Sequence, residues 1–179
     1  MARLEAWAQK AEKTTRTQSA FEHWSARTLL EFRAGRPPAA LQSLSYVKHE
    51  GRANYFYHFM NACIHAEMGD WRAAHQDLSS ALELEPTALE ARYLRAIVRL
   101  RTEDLTNAMS DASKAVEIAP ARSPITWLVY VLRAQIHHEL HENEAATADL
   151  EKAGSLAGSM AGLVNTLKSR WLRAPRPEK

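Results

Sequence analysis

The sequence predicts an all-α helical repeat protein, and three observations support that fold class. First, the composition favours helix. Ala, Leu, Glu, Arg and Lys dominate, and 179 residues contain only 6 Gly and 7 Pro, few for an all-β chain that needs many tight turns. Second, a period of 34 residues runs through the middle of the chain. Third, small residues recur at that period in two columns, as close crossing of paired helices requires.

The period is clearest in two segments. GDWRAAHQDLSSALELEP ends at Pro86 and EDLTNAMSDASKAVEIAP ends at Pro120, 34 residues later. Ala74 and Ala108, Ala81 and Ala115, Leu84 and Ile118, and Glu83 and Glu117 repeat the same interval. One period earlier the columns hold Ala40, Leu44 and Val47; an interval of 38 later they hold Ala146, Leu150 and Ala153. Four copies therefore span about 21–52, 55–86, 89–120 and 127–158. Each copy reads as two helices. The first carries the small column Thr28, Ala62, Ala96 and Ala134, and the second carries Ala40, Ala74, Ala108 and Ala146. Pro86 and Pro120 stop the second helices, because proline cannot continue the hydrogen-bond ladder. The extra residues Ser123, Pro124, Ile125 and Thr126 read as a one-turn N-terminal extension of the last first-helix, with Ser as cap and Pro at its first position.

Period, columns and closing prolines together resemble the tetratricopeptide repeat. The match is carried by Ala74, Leu78, Ala81 and Pro86, by Ala108, Ala112, Ala115 and Pro120, and by the turns at Gly35 and Gly69-Asp70-Trp71. Arg52 and Gly158 stand where the outer copies would have the closing Pro. The resemblance implies a right-handed superhelix of about four helix-turn-helix repeats with N- and C-terminal flanking helices. Residues 1–20 read as an N-terminal helix and connector, with the stripe Leu4, Trp7, Ala8 and Ala11. Residues 21–158 form the repeat domain. Residues 159–173 read as a capping helix with the stripe Met160, Val164, Leu167 and Trp171, and 174–179 as a flexible tail.

A polar column interrupts this pattern. Arg27, Asn61, Arg95 and Arg133 stand on the first helices, where the family more often has Leu, and Ser43, Asp77, Asp111 and Asp149 follow sixteen residues later. We expect internal ion pairs Arg95–Asp111 and Arg133–Asp149, with Asn61–Asp77 as a hydrogen-bonded variant.

Several functional classes are disfavoured. The net charge of +2 is too small to imply a nucleic-acid partner. The lone Cys63 excludes an internal disulfide, and charged residues from Arg3 to Lys13 leave no apolar signal core. No stretch approaches ~18 apolar residues, so the expected setting is cytoplasmic. His137 and His141 share a helical spacing, but HHELH is not the zinc-protease pattern, and they read as surface residues with no metal. No phosphate loop, serine elbow or Cys–His pair is present. The chain reads as non-catalytic, without a cofactor.

The resemblance places a partner on the concave face formed by first helices. Its columns carry over to Ser25, Leu29 and Phe32; to Phe56, Phe59, Cys63 and Ala66; to Tyr93, Ile97 and Leu100; and to Leu128, Val131, Gln135 and His138. This surface is largely apolar and aromatic, and such patches mark interaction sites. Some relatives clamp a chaperone's terminal carboxylate with polar residues, but Ser25, Leu29, Met60, Glu90 and Leu94 stand at those positions here. The expected partner is a protein or peptide with a hydrophobic segment, held as a small chaperone would hold it. The alternative is a structural adaptor or self-associating subunit that uses its convex face or terminal helices.

Overall fold

The computed structural model describes residues 20–48, 54–120, 123 and 125–171. The expected N-terminal stripe from Leu4 to Ala11, Arg52, Pro124 and the tail at 174–179 lie outside the described residues. Every regular element among the described residues is helical. In chain order these are α1 (20–33), α2 (Pro37–Ser45), α3 (Tyr55–Glu67), α4 (Trp71–Leu84), α5 (Leu89–Arg101), α6 (Leu105–Ile118), α7 (Thr126–Glu139), α8 (Asn143–Leu156) and α9 (Ala161–Trp171), with a 3-10 turn at Gly158–Met160 before α9.

The turn inside each helical pair repeats as the sequence does. Gly35, Gly69, Glu103 and His141 occupy equivalent positions, and all four are left-handed, with φ of 70°, 77°, 61° and 62°. This conformation turns the chain out of the first helix and into the second. Glycine adopts it freely, whereas Glu103 and His141 each bear a strain of about 1 kcal/mol. Asp70 and Asp104 then cap the second helices. Their Oδ1 atoms accept from the N–H groups of Ala73 at 3.0 Å and Asn107 at 3.4 Å. An expected outcome follows: His141→Gly raises, and Gly69→Ala lowers, the unfolding free energy by about 1 kcal/mol each in denaturant titrations.

The small columns are where the helices meet. Ala62, Ala96 and Ala134 on the first helices are fully buried, as are Ala40, Ala74, Ala108 and Ala146 on the second. Thr28, the larger member of its column, is also fully buried, and its hydroxyl donates to the Trp24 carbonyl at 2.8 Å, so no polar atom is stranded there.

The chain divides between Pro86 and Thr87 into two compact units. In the first, α2 and α4 pack on α3. Its core joins Leu44 and Val47 to Tyr57, Met60 and Ile64, with Phe21, Trp24, Phe32 and Phe56 packed against them. In the second, α5 pairs with α6 and α7 with α8, α6 also packs on α7, and α9 lies on α8. One core cluster there joins Ala96, Ala108 and Ala112 to Leu132 and Ile136. Another joins Leu150, Ala153 and Ala157 to Val164 of α9. Met160, expected on the stripe of the last helix, instead lies exposed in the 3-10 turn.

The linker before α7 differs from expectation. The helix begins at Thr126, so Ser123 and Ile125 precede it and do not lengthen it. Thr126 is buried, and its hydroxyl donates to the Pro120 carbonyl at 2.7 Å while its N–H donates to the Ser123 carbonyl at 3.1 Å. These bonds satisfy the N–H and the hydroxyl of the buried Thr126 at the helix start.

Candidate functional site

The polar column proves richer than single pairs. In the α5–α6 hairpin the buried Asp111 carboxylate accepts from Arg95 Nε and Nη2, both at 2.8 Å, as a two-pronged pair. It also accepts from Arg99 Nη1 at 2.6 Å, and Arg92 Nη1 lies 3.4 Å away. In the α7–α8 hairpin Arg133 grips Asp149 in the same way, at 2.7 and 2.6 Å. That bond holds the Arg133 guanidinium more firmly protonated, against the opposing effect of its burial. His137 Nε2 stands 3.8 Å from Asp149 and its Nδ1 is 2.5 Å from Glu142, so this histidine faces carboxylates. His141 is exposed on the turn.

In the α3–α4 hairpin the partners change. Asp77 is met by His58 Nδ1 at 3.7 Å and His65 Nε2 at 3.8 Å, where Asn61 was expected. His58 and His65 stand one period before Arg92 and Arg99, and His137 continues the latter column. The network around each Asp was therefore present in the repeat pattern, one turn either side of the residue singled out.

Burial is the main cause that pushes the Asp77 carboxyl above its ordinary 3.8, and the two histidines partly oppose it. Folding therefore favours protonated Asp77. Its stabilising contribution is complete below the ordinary value and is lost as pH rises through the raised one. Accordingly, Asp77→Asn is expected to be at least as stable as the parent at neutral pH. Any advantage should shrink in thermal melts taken below about pH 4.

The groove columns fall differently in the two units. In the first, Phe32 and Phe56 pack against the core. Ser25 is half-buried, with an Oγ that has no hydrogen-bond partner among the described residues. Phe59 stacks on Tyr55 with ring centroids 5.6 Å apart, and Leu29 is 41% exposed. Cys63 is half-buried, and burial pushes its thiol up to about 11, which leaves it a poor nucleophile. A cavity of about 150 Å³ in this unit is lined by Trp24, Arg27, Glu31, Ala39, Gln42, Ser43 and Tyr46, none of them a groove residue.

In the second unit six of the seven groove residues come together. Tyr93, Ile97 and Leu100 of α5 face Leu128, Val131 and Gln135 of α7 across a cleft of about 660 Å³. The cleft is completed by Leu132, Leu105, Arg101, Glu103 and Glu139. Tyr93, Ile97, Leu100, Leu128 and Val131 are half-buried and partly open to solvent, and all but Leu128 also pack against a core cluster. Burial raises the Tyr93 hydroxyl above its ordinary value, so it remains a neutral donor. His138 turns elsewhere: its ring stacks on Trp171 of α9 at 6.0 Å. Arg101 and Glu139, absent from the sequence reading, stand four residues after Ile97 and Gln135. One more helical turn along each column would have found them.

No described helix is long and apolar enough to cross a membrane. The described residues contain no group of three or more His, Cys, Asp or Glu arranged to hold a metal ion.

No family model matches the sequence, and no curated protein matches it. Solved structures do. MamA from Desulfovibrio magneticus RS-1, solved from its residue 41 to the end, superposes with a TM-score of 0.70 at 20% identity, covering 84% of this chain and 86% of that one. TTC0263, a thermophilic TPR protein of Thermus thermophilus, matches at 0.64 and 17% identity, covering 87% and 80%. PilW, a type IV pilus biogenesis factor, matches at 0.67 and 13%, covering 87% and 79%. At these identities the likeness concerns the fold. Repeated helical pairs, left-handed turns at equivalent positions, buried alanine columns and these neighbours lead to one conclusion: the chain has an all-α helical repeat fold of the tetratricopeptide type.

Proposed function

We propose that the chain is a non-catalytic protein-interaction module that holds an apolar segment of a partner polypeptide in the α5–α7 cleft. The observation that carries this reading is the cleft itself. Five half-buried apolar or aromatic side chains from two first helices line one depression, with Gln135 beside them. Half-buried aromatic and aliphatic side chains serve as binding anchors because a partner removes the rest of their surface from water. Holding such a segment is a chaperone-like task. The single half-buried thiol suits a reducing cytoplasm, where we place the protein.

Partner capture from native lysate with wild-type protein and single variants Tyr93→Glu and Phe59→Glu tests this reading, after circular dichroism has confirmed folding. The expected result is loss of the partner with Tyr93→Glu and retention with Phe59→Glu. Retention by both variants sinks the cleft as the binding site.

A second reading, self-association through terminal helices, is favoured by Leu30 on α1 and Leu163 on α9, which are 68% and 51% exposed. Mass in solution that rises with concentration supports it; a constant monomer mass excludes it.

A further inference from the structure

The cleft mixes apolar side chains with polar ones, and its charged residues gather at one end. Tyr93 and Leu128 stand near the starts of α5 and α7, whereas Arg101, Glu103 and Glu139 line the cleft where those helices finish. Two features set the sign of that end. Glu103 and Glu139 contribute two exposed carboxylates against the single guanidinium of Arg101. Among the described residues, these three side chains form no ion pair within 4 Å with one another or with any neighbour. Glu103 is held there by the left-handed turn, which fixes its backbone beside the cleft mouth.

We infer that the cleft selects segments in which an apolar stretch is followed, at one terminus, by lysine or arginine. This rests on the reading of the cleft as a peptide site and adds the partner's chemistry and direction to it. The apolar side chains would supply most of the affinity. The cation would meet Glu103 and Glu139 and so decide which end of the segment lies at the closing turns. A glutamate or aspartate in that place would face two carboxylates.

The test uses the full chain and fluorescently labelled synthetic peptides that share one amphipathic apolar sequence. They end in Lys-Lys, Gln-Gln or Glu-Glu, with the charged pair placed at either terminus in separate peptides. Fluorescence anisotropy at low salt should show the better Lys-Lys peptide binding about fivefold or more tighter than its Glu-Glu counterpart. In the double variant Glu103→Gln/Glu139→Gln the difference should fall below about twofold. Arg101→Gln should widen the preference. These residues are exposed, so the variants should fold as the parent does. Equal binding of Lys-Lys and Glu-Glu peptides, or a preference that survives the double variant, overturns the charge selection and leaves the apolar cleft standing. Failure of all the peptides to bind overturns both.

Discussion

Asp111→Ala is expected to cost the second unit about 3–5 kcal/mol of stability. The carboxylate side chain is only 3% exposed, and it is the shared acceptor for Arg95 and Arg99 with Arg92 alongside. Its removal leaves three guanidiniums, each about 15% exposed, packed together with their common counter-charge gone. Thermal melting by circular dichroism should show a fall of roughly 15 °C or more. The comparison that isolates the cause replaces the whole cluster, with Asp111→Leu beside Arg92→Met, Arg95→Met and Arg99→Met. An apolar replacement of similar volume removes the unpaired charges and should recover most of the loss. If Asp111→Ala alone costs less than about 1 kcal/mol, the arginines behave as solvated surface groups. The cluster then does not hold the hairpin together.

Leu128→Glu is expected to weaken partner binding more than about tenfold while changing the melting temperature little. Leu128 lines the cleft, is half-buried, and packs in none of the core clusters formed among the described residues, unlike Tyr93, Ile97 and Leu100. A carboxylate there can reach water in the free protein but is buried by an apolar partner, and burying it without a counter-charge is what costs affinity. Leu128→Ala removes contact area without adding a charge and should cost less, about threefold to tenfold. A Leu128→Glu protein that binds as the parent does would place the partner elsewhere.

Much of the fold was legible because tetratricopeptide-type packing writes its constraints at fixed spacing. Ala74 and Ala108 mark where helices cross, and Pro86 and Pro120 mark where they stop. The Arg95–Asp111 and Arg133–Asp149 pairs could be read because each residue stands sixteen positions from its partner, on adjoining helices. Other features needed three dimensions. Glu103 and His141 adopt the same left-handed turn as Gly35 and Gly69, although their identities gave no hint of it. The start of α7 depended on a hydroxyl of Thr126 reaching back to Pro120, a bond that no periodicity encodes. Of the groove residues, Phe32 and Phe56 are half-buried against a core cluster and His138 stacks on Trp171. Column position tells which helix face a residue occupies. How much of that face a neighbouring element covers depends on packing.

Site-specific photo-cross-linking tests the central claim most directly. A benzophenone side chain is placed at Leu128 on the cleft in one protein and at Lys152, exposed on α8, in another. Both proteins are irradiated in native lysate, and the attached polypeptides are identified. A partner attached at Leu128 through an apolar segment, and not attached at Lys152, is the predicted result. Attachment at Lys152 with none at Leu128 would contradict the cleft reading and move the interface to the second helices.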